Sequence, residues 1–196
     1  MFNPFGDFEV RGYLRNRFRV RSPDEIKLLE HANFRANLRT ALEYLEQVEG
    51  PIAYCDVLGV HRILFEDLYP WAGKDRYQLG VADLVNKGSI QFEGAGKIAM
   101  AMRHALEHGG EPVKLRAAPG YALGMMAWAH PFLDGNGRTM LLVHTEMCRR
   151  AGFSIDWSTA SMEGYLVALS VELGKPGSGT LDRYMLERMS QVVAIR

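Results

Sequence analysis

Apolar residues recur along most of the chain at helical spacing, interrupted by one stretch with a different period. Ser22-Pro23 offers a capping side chain followed by proline at the first helical position. From there Ile26, Leu29, Ala32, Phe34, Leu38, Leu42 and Leu45 mark the inner side of a helix running to about Val48, where Gly50-Pro51 stops it. Further helices are predicted at about Asp56–Tyr69, Gly94–His108, Ala117–Ala129, Asn136–Arg150, Ser158–Leu173 and Leu181–Ile195. Lys74–Phe92 alternates instead and contains Gly80 and Gly88, which predicts a two-stranded flap. Gly174–Gly179 is a linker between helices and lacks the Gly-Lys-Ser/Thr of a P-loop. The expected architecture is all-α: a helical bundle with a short β-hairpin flap, in one domain spanning residues 1–196 behind an N-terminal arm of residues 1–21.

The segment with the most chemistry lies between two of these helices and reads His130-Pro131-Phe132-Leu133-Asp134-Gly135-Asn136-Gly137-Arg138-Thr139. His130 ends the helix before it, because Pro131 disfavours helical geometry at the preceding residue. Asp134-Gly135-Asn136-Gly137 is a tight turn that opens the next helix. A helix start carries free N–H groups and the positive end of the macrodipole, which suits an anion. Gly135 and Gly137 let the main chain approach a phosphate, and Arg138 can fork onto its oxygens. Asp134 is a hard oxygen ligand suited to Mg²⁺, which binds through one or two carboxylates plus substrate phosphates. His130 is a natural general base near neutral pH. Phe132 is expected to point into the core and anchor the loop.

This segment resembles the signature of the Fic family, His-x-Phe-x-Asp/Glu-Gly-Asn-Gly-Arg-x-x-Arg, without a break from His130 through Arg138. Leu68-Tyr69-Pro70-Trp71-Ala72-Gly73-Lys74-Asp75-Arg76 resembles the family's Tyr-x-Trp-Ala-Gly-x-x-Arg segment, normally structural. Asn86–Phe92 resembles its flap hairpin, and Tyr13–Arg17 has the look of bacterial members. The resemblance implies the Fic fold and a Mg²⁺-dependent protein adenylyltransferase that moves AMP from ATP to a Ser, Thr or Tyr hydroxyl of a target protein. It implies His130 as the base, Asp134 as the metal ligand, and Gly135, Asn136, Gly137 and Arg138 as the phosphate site. Lys87, Gly88, Ser89 and Ile90 would form a flap that docks the target's backbone as an added strand. The active-site loop and helix start span residues 130–141.

One position departs from the pattern: the second arginine falls at Leu141. In adenylyl-transferring members that arginine holds the terminal phosphate. Its absence leaves open another donor orientation, another transferred group, or a catalytically weak domain that acts by binding. Arg149 lies eight residues along, about 12 Å at 1.5 Å per residue, too far to substitute directly. The Doc branch, with Ala-Asn-Lys where this chain has Gly135-Asn136-Gly137, fits less well.

Composition narrows the remaining options. Lys plus Arg and Asp plus Glu both number 23, so no net field draws the 196-residue chain to nucleic acid or anionic lipid. Arg11, Arg15, Arg17, Arg19 and Arg21 with Tyr13 and Phe18 therefore read as a solvated arm packed over the domain. No secretory signal and no apolar run of membrane-spanning length is seen. Cys55 and Cys148 are expected to be buried free thiols, which fits a reducing, cytoplasmic setting, with delivery into another cell left open. His104-Ala105-Leu106-Glu107-His108 has a zinc-peptidase spacing, but Gly109-Gly110 ends the helix at once, and the pair reads as helix-terminal histidines. Thr159–Gly164 loosely fits the family's inhibitory Ser/Thr-x-x-x-Glu-Gly/Asn pattern. A helix start with Glu163 in its first turn is the preferred reading, so an inhibitory (antitoxin) partner, if any, is a separate protein.

Overall fold

The computed structural model describes residues 14–81 and 85–191. The first thirteen residues of the arm, residues 82–84 of the flap region and residues 192–196 lie outside them.

Helix α1 (Pro23–Gln47) begins where the sequence places it, with the Ser22 hydroxyl accepting the Glu25 N–H at 3.4 Å. Its buried residues are Ile26, Glu30, Ala41 and Leu45. Ala32, expected inside, is exposed, because the apolar stripe advances in steps of four along the face that meets the core. Helix α2 (Tyr54–Phe65) starts slightly earlier than expected, since the Asp56 carboxylate reaches back to the Ala53 N–H at 2.8 Å and closes the first turn. It presents Val57, Val60, His61, Leu64 and Phe65 to the core.

The flap is shorter than the alternation predicts. Only β1 (Asn86–Lys87) and β2 (Ile90–Gln91) pair, antiparallel, across Gly88-Ser89, with Gly88 at φ +62° as a two-residue hairpin favours. Lys74–Gly80 forms turns instead of strand, because Asp75 and Arg76 are drawn inward, at 5% and 1% exposure, and bond to distant groups.

After a 3₁₀ turn (Ala95–Lys97) come α3 (Ile98–Gly110), α4 (Pro112–Ala117) and α5 (Pro119–Ala129). Pro119 splits the predicted 117–129 helix from the short α4, as proline at a first helical position does. Helix α5 is apolar on all sides, the mark of a central helix. It contacts α3, α6 (Asn136–Arg150), α7 (Met162–Gly174) and α8 (Thr180–Leu186).

Two corrections concern the end of the chain and a thiol. The predicted helix 181–195 stops at Leu186, and β4 (Met189–Gln191) pairs antiparallel with β3 (Phe153–Ile155). Cys148 is buried as expected, but Cys55 is exposed on the outer side of α2.

Helices α1 and α6 are tied at both ends. At one end Arg138 meets Glu30 at 3.2 Å. At the other, Arg150 donates to the carbonyls of Leu45, Val48 and Gly50 at and just beyond the end of α1. The described part of the arm packs down as expected: Leu14 is buried, and Arg17 donates from its main chain to the Leu68 carbonyl and from its side chain to that of Glu66. No helix among the described residues is long and apolar enough to cross a membrane.

Candidate active site

The site grows from the junction of α5 and α6. Helix α5 ends at His130 in left-handed backbone, φ +44° and ψ +57°. For a residue with a Cβ that conformation costs about 1–2 kcal/mol, so something must hold it. Arg76, fully buried, supplies the grip. Its Nε donates to the His130 carbonyl at 2.8 Å, its Nη2 to the carbonyls of Glu93 at 2.7 Å and Ala129 at 3.4 Å, and its main-chain N–H to Pro131 at 2.7 Å. The segment after the flap is stitched to the same place, with the Glu93 N–H donating to the Trp128 carbonyl at 3.1 Å.

The His130 ring is oriented by two neighbours. Phe92, the residue after β2, lies flat on it with centroids 3.8 Å apart. Asn136 Nδ2 is 3.3 Å from Nε2. The Asn136 amide is itself fixed, because its oxygen accepts the Phe132 N–H at 2.9 Å and its nitrogen donates to the Phe132 carbonyl at 2.7 Å. The amide can therefore only donate to His130, which makes Nε2 the unprotonated, accepting nitrogen of the ring, its lone pair lightly held by the long contact to Asn136. Burial, followed by the charges of Arg76 and Lys87, pushes the imidazole down to about 3, with a backbone hydrogen bond to Ala127 opposing. The ring is neutral across the physiological range, the state a base requires.

Beyond His130 the turn is pinned from below. Phe132 is fully buried, as expected, and stacks on His61 at 3.7 Å. The Gly73 N–H donates to His61 Nδ1 at 2.9 Å, so Nε2 carries the hydrogen and donates to the Asp134 carbonyl at 3.0 Å. His61 thus joins the Trp71–Gly73 segment to the turn, and burial keeps it neutral at about 3. Gly135 sits at φ +76°, and a Cβ there would come within 2.5 Å of the Phe65 ring, so glycine is required twice over. Gly137 is different: a Cβ would meet nothing within 4 Å, and the residue is exposed. Main chain left bare over open space at an uncapped helix start is what a close phosphate approach needs.

Asp134 keeps 44% of its side chain exposed and is closed onto its own turn by the Gly135 N–H and by Arg138 Nη2 at 3.3 Å. Among the described residues no three His, Cys, Asp or Glu side chains cluster to hold a metal. A half-exposed carboxylate beside open main chain, paired here with Arg138, fits a cation whose remaining ligands come from substrate phosphates.

Arg138 is more heavily engaged than its position in the sequence suggests. Besides Asp134 it meets Glu30 Oε2 at 3.2 Å, and its guanidinium lies 4.8 Å over the Phe65 ring. Glu30 also accepts the Tyr69 hydroxyl. Burial and the Asp134 charge push the Glu30 carboxyl above its ordinary value, and Tyr69 and Arg138 pull against that shift.

The structure therefore brings His130, Asp134, Gly135, Asn136, Gly137 and Arg138 together on one turn. The Asn136 amide, expected to touch phosphate, is turned inward to brace Phe132 and His130. Lys87, Gly88 and Ser89 are exposed at the hairpin tip and Ile90 is half-buried. Leu141 is half-buried against the core, and Arg149 is held by both Glu146 oxygens at 2.7 and 2.8 Å, so it does not stand in for the missing arginine. Ser161 caps α7 by accepting the Gly164 N–H at 3.0 Å, leaving Glu163 exposed in its first turn. His104 bonds to the Tyr121 hydroxyl at 2.9 Å. Nothing in the sequence pattern marks Tyr69 or His61 as acting on the turn, and Glu30 lies outside the contiguous motif. For Glu30 a signal existed, a carboxylate four residues after Ile26 and four before Phe34 on the apolar face of α1.

Comparison with known proteins gives relatives, a fold and a family. The protein adenylyltransferase VbhT of Bartonella schoenbuchensis is 28% identical over 178 residues, covering 83% of this chain and 36% of VbhT. The chain thus spans about a third of that relative's length. The probable protein adenylyltransferase y4lH of Sinorhizobium fredii is 28% identical over 160 residues, 80% of this chain and 81% of that protein. In fold, the chain is similar to the BepC protein of Bartonella tribocorum with bound AMPPNP, at TM-score 0.76 and 15% identity over 94% of this chain and 96% of that one. The N-terminal Fic domain of a putative cell filamentation protein from Bartonella quintana with bound ADP gives 0.75 and 16%, over 94% of each. The model of the Fic/DOC family matches residues 51–148, half the chain and the whole of the His130–Arg138 turn, and the protein belongs to that family.

Proposed function

We propose that the protein transfers AMP from ATP to a Ser, Thr or Tyr hydroxyl of a target protein. The observation that carries this reading is the pairing of a neutral imidazole, its Nε2 unprotonated, with an uncapped helix start whose Gly137 faces open space. The names of VbhT and y4lH and the nucleotides in the two Bartonella structures support it.

In this reading the phosphates lie over Gly135–Gly137, held by main-chain N–H groups and by Arg138. Mg²⁺ on Asp134 would neutralise charge on the phosphate oxygens. His130 Nε2 takes the hydroxyl proton as the target oxygen bonds to the α-phosphorus. The bond from that phosphorus to the β-phosphate breaks, and pyrophosphate leaves. The hairpin from Lys87 to Ile90 receives the target backbone as an added strand. Control by a separate inhibitory protein belongs to the same reading, since Glu163 serves as an ordinary helix start.

Leu141 favours a second reading: without an arginine for the terminal phosphate, the same turn takes another donor or orientation. ATP labelled at the α or at the γ phosphate, incubated with lysate and Mg²⁺, separates them. Protein label from α alone is the expected result. Label from γ alone, or from neither, overturns AMP transfer.

A further inference from the structure

Glu30 lies outside the family-matched residues and on α1, far in sequence from the turn it touches. Only 7% of its side chain is exposed. One oxygen accepts the hydroxyl of Tyr69, a residue that is itself buried and stacked on Trp71 at 4.3 Å. The other oxygen meets Arg138 Nη2. Arg138 Nη1 is buried and has no hydrogen-bond partner among the described residues, a donor left unsatisfied beside the turn. Resting on the phosphate-transfer reading above, we propose that Glu30 is a positioning residue for Arg138: a Tyr69-anchored carboxylate holds one guanidinium nitrogen so that the remaining donors are aimed at the nucleotide's phosphates.

Two responses to a bound nucleotide are conceivable, and burial decides between them. Were Arg138 to leave Glu30 for a phosphate, a buried carboxylate would lose its cation, a heavily penalised state. A guanidinium that stays on Glu30 and offers its remaining donors avoids that penalty. A planar fork serves phosphate only when its plane is set, and here α1 sets it together with the Phe65 ring below. With leucine at 141, Arg138 is the arginine of the segment left for this task, so its orientation bears directly on nucleotide affinity.

The test uses the full chain and the variants Glu30→Ala, Glu30→Gln and Tyr69→Phe. Affinity for Mg²⁺ with AMPPNP is read by calorimetry, KM and kcat with α-labelled ATP, and folding by thermal melts. Glu30→Ala is expected to raise both the dissociation constant and the KM for ATP roughly tenfold, the scale of one lost charged hydrogen bond, with kcat at saturation changed less than about threefold. Glu30→Gln keeps one acceptor oxygen, enough for Tyr69 or Arg138 but not for both, and should recover at most part of the loss. Tyr69→Phe removes only the anchoring hydroxyl and should give an intermediate rise, a readout that remains if Glu30→Ala fails to fold. Unchanged affinity in folded variants overturns the inference while leaving nucleotide transfer intact. Tighter binding also overturns it, by making Glu30 a competitor for Arg138. If the unaltered protein binds no nucleotide, the transfer reading itself fails and the inference falls with it.

Discussion

Arg76 Nε sits 2.8 Å from the carbonyl of His130, and through that contact a fully buried charge secures the left-handed residue on which the proposed chemistry depends. Replacing Arg76 with Met removes the donors and strands the carbonyls of His130, Ala129 and Glu93. Leaving buried groups unpaired costs about 1–3 kcal/mol each, part of which is recovered because a buried cation is no longer desolvated. A net loss of about 3 kcal/mol is expected in urea unfolding, with transfer falling at least about tenfold because His130 is no longer fixed. Wild-type transfer by a folded Arg76→Met protein would show that His130 holds its geometry unaided.

His130→Ala should lower transfer by about 10²–10⁴-fold, the span of general-base catalysis, while AMPPNP binding persists. Since His130 titrates at about 3 in the folded protein, the rate should stay flat from pH 5 to 8 as far as this group is concerned. A rate that climbs with a midpoint near 6.5 would mean that the imidazole is far better hydrated during turnover.

Acid should unfold the protein readily. Burial holds His61 at about 3 and His144 at about 4, below the ordinary 6.5. Both are neutral when folded and become protonated when unfolded below about pH 6.5, so their contribution is complete above that value. Each then loses about 1.4 kcal/mol per pH unit as pH falls toward its folded value. Thermal melts between pH 7 and 5 should shift downward steeply, and less so in a His144→Gln variant compared with its own pH 7 value.

Two glycines in one turn should behave oppositely. Gly135→Ala meets both a positive φ and the Phe65 ring, for a combined loss of about 2–4 kcal/mol. Gly137→Ala meets open space and should leave the melting temperature equal or higher. Its damage should fall on nucleotide binding, because the added methyl stands where phosphate approaches. A Gly137→Ala protein with normal ATP affinity would move the phosphate site elsewhere.

Leu141→Arg tests the family's missing group. The position is half-buried, so an arginine can run its stem along the core and place its head in solvent. A restored charged contact is expected to lower the KM for ATP roughly tenfold. No gain would favour a donor held in another pose.

Local residue order carried a good deal of this. Helix α6 starts and stops where its pattern predicts, because glycines open it and Arg149-Arg150 sit at its end. Ser22-Pro23 marks the start of α1 equally well. The failures have one physical source, pairing between residues distant in the chain. Met189–Gln191 becomes a strand because Phe153–Ile155 lies beside it, and no local pattern announces that partner. Arg76 reads as part of an alternating strand until the carbonyls around His130 claim it. Within the site, the His130–Arg138 turn was legible as a unit because its residues are contiguous. The roles of Glu30, Tyr69 and His61 were not, because each acts on the turn from another element.

The ties between α1 and α6, Glu30 with Arg138 at one end and three carbonyls with Arg150 at the other, make the two helices a single mechanical part. Neither can fray without stripping polar contacts from its neighbour. Their amide hydrogens should accordingly exchange with deuterium as one cooperative block, the turn that carries the imidazole included.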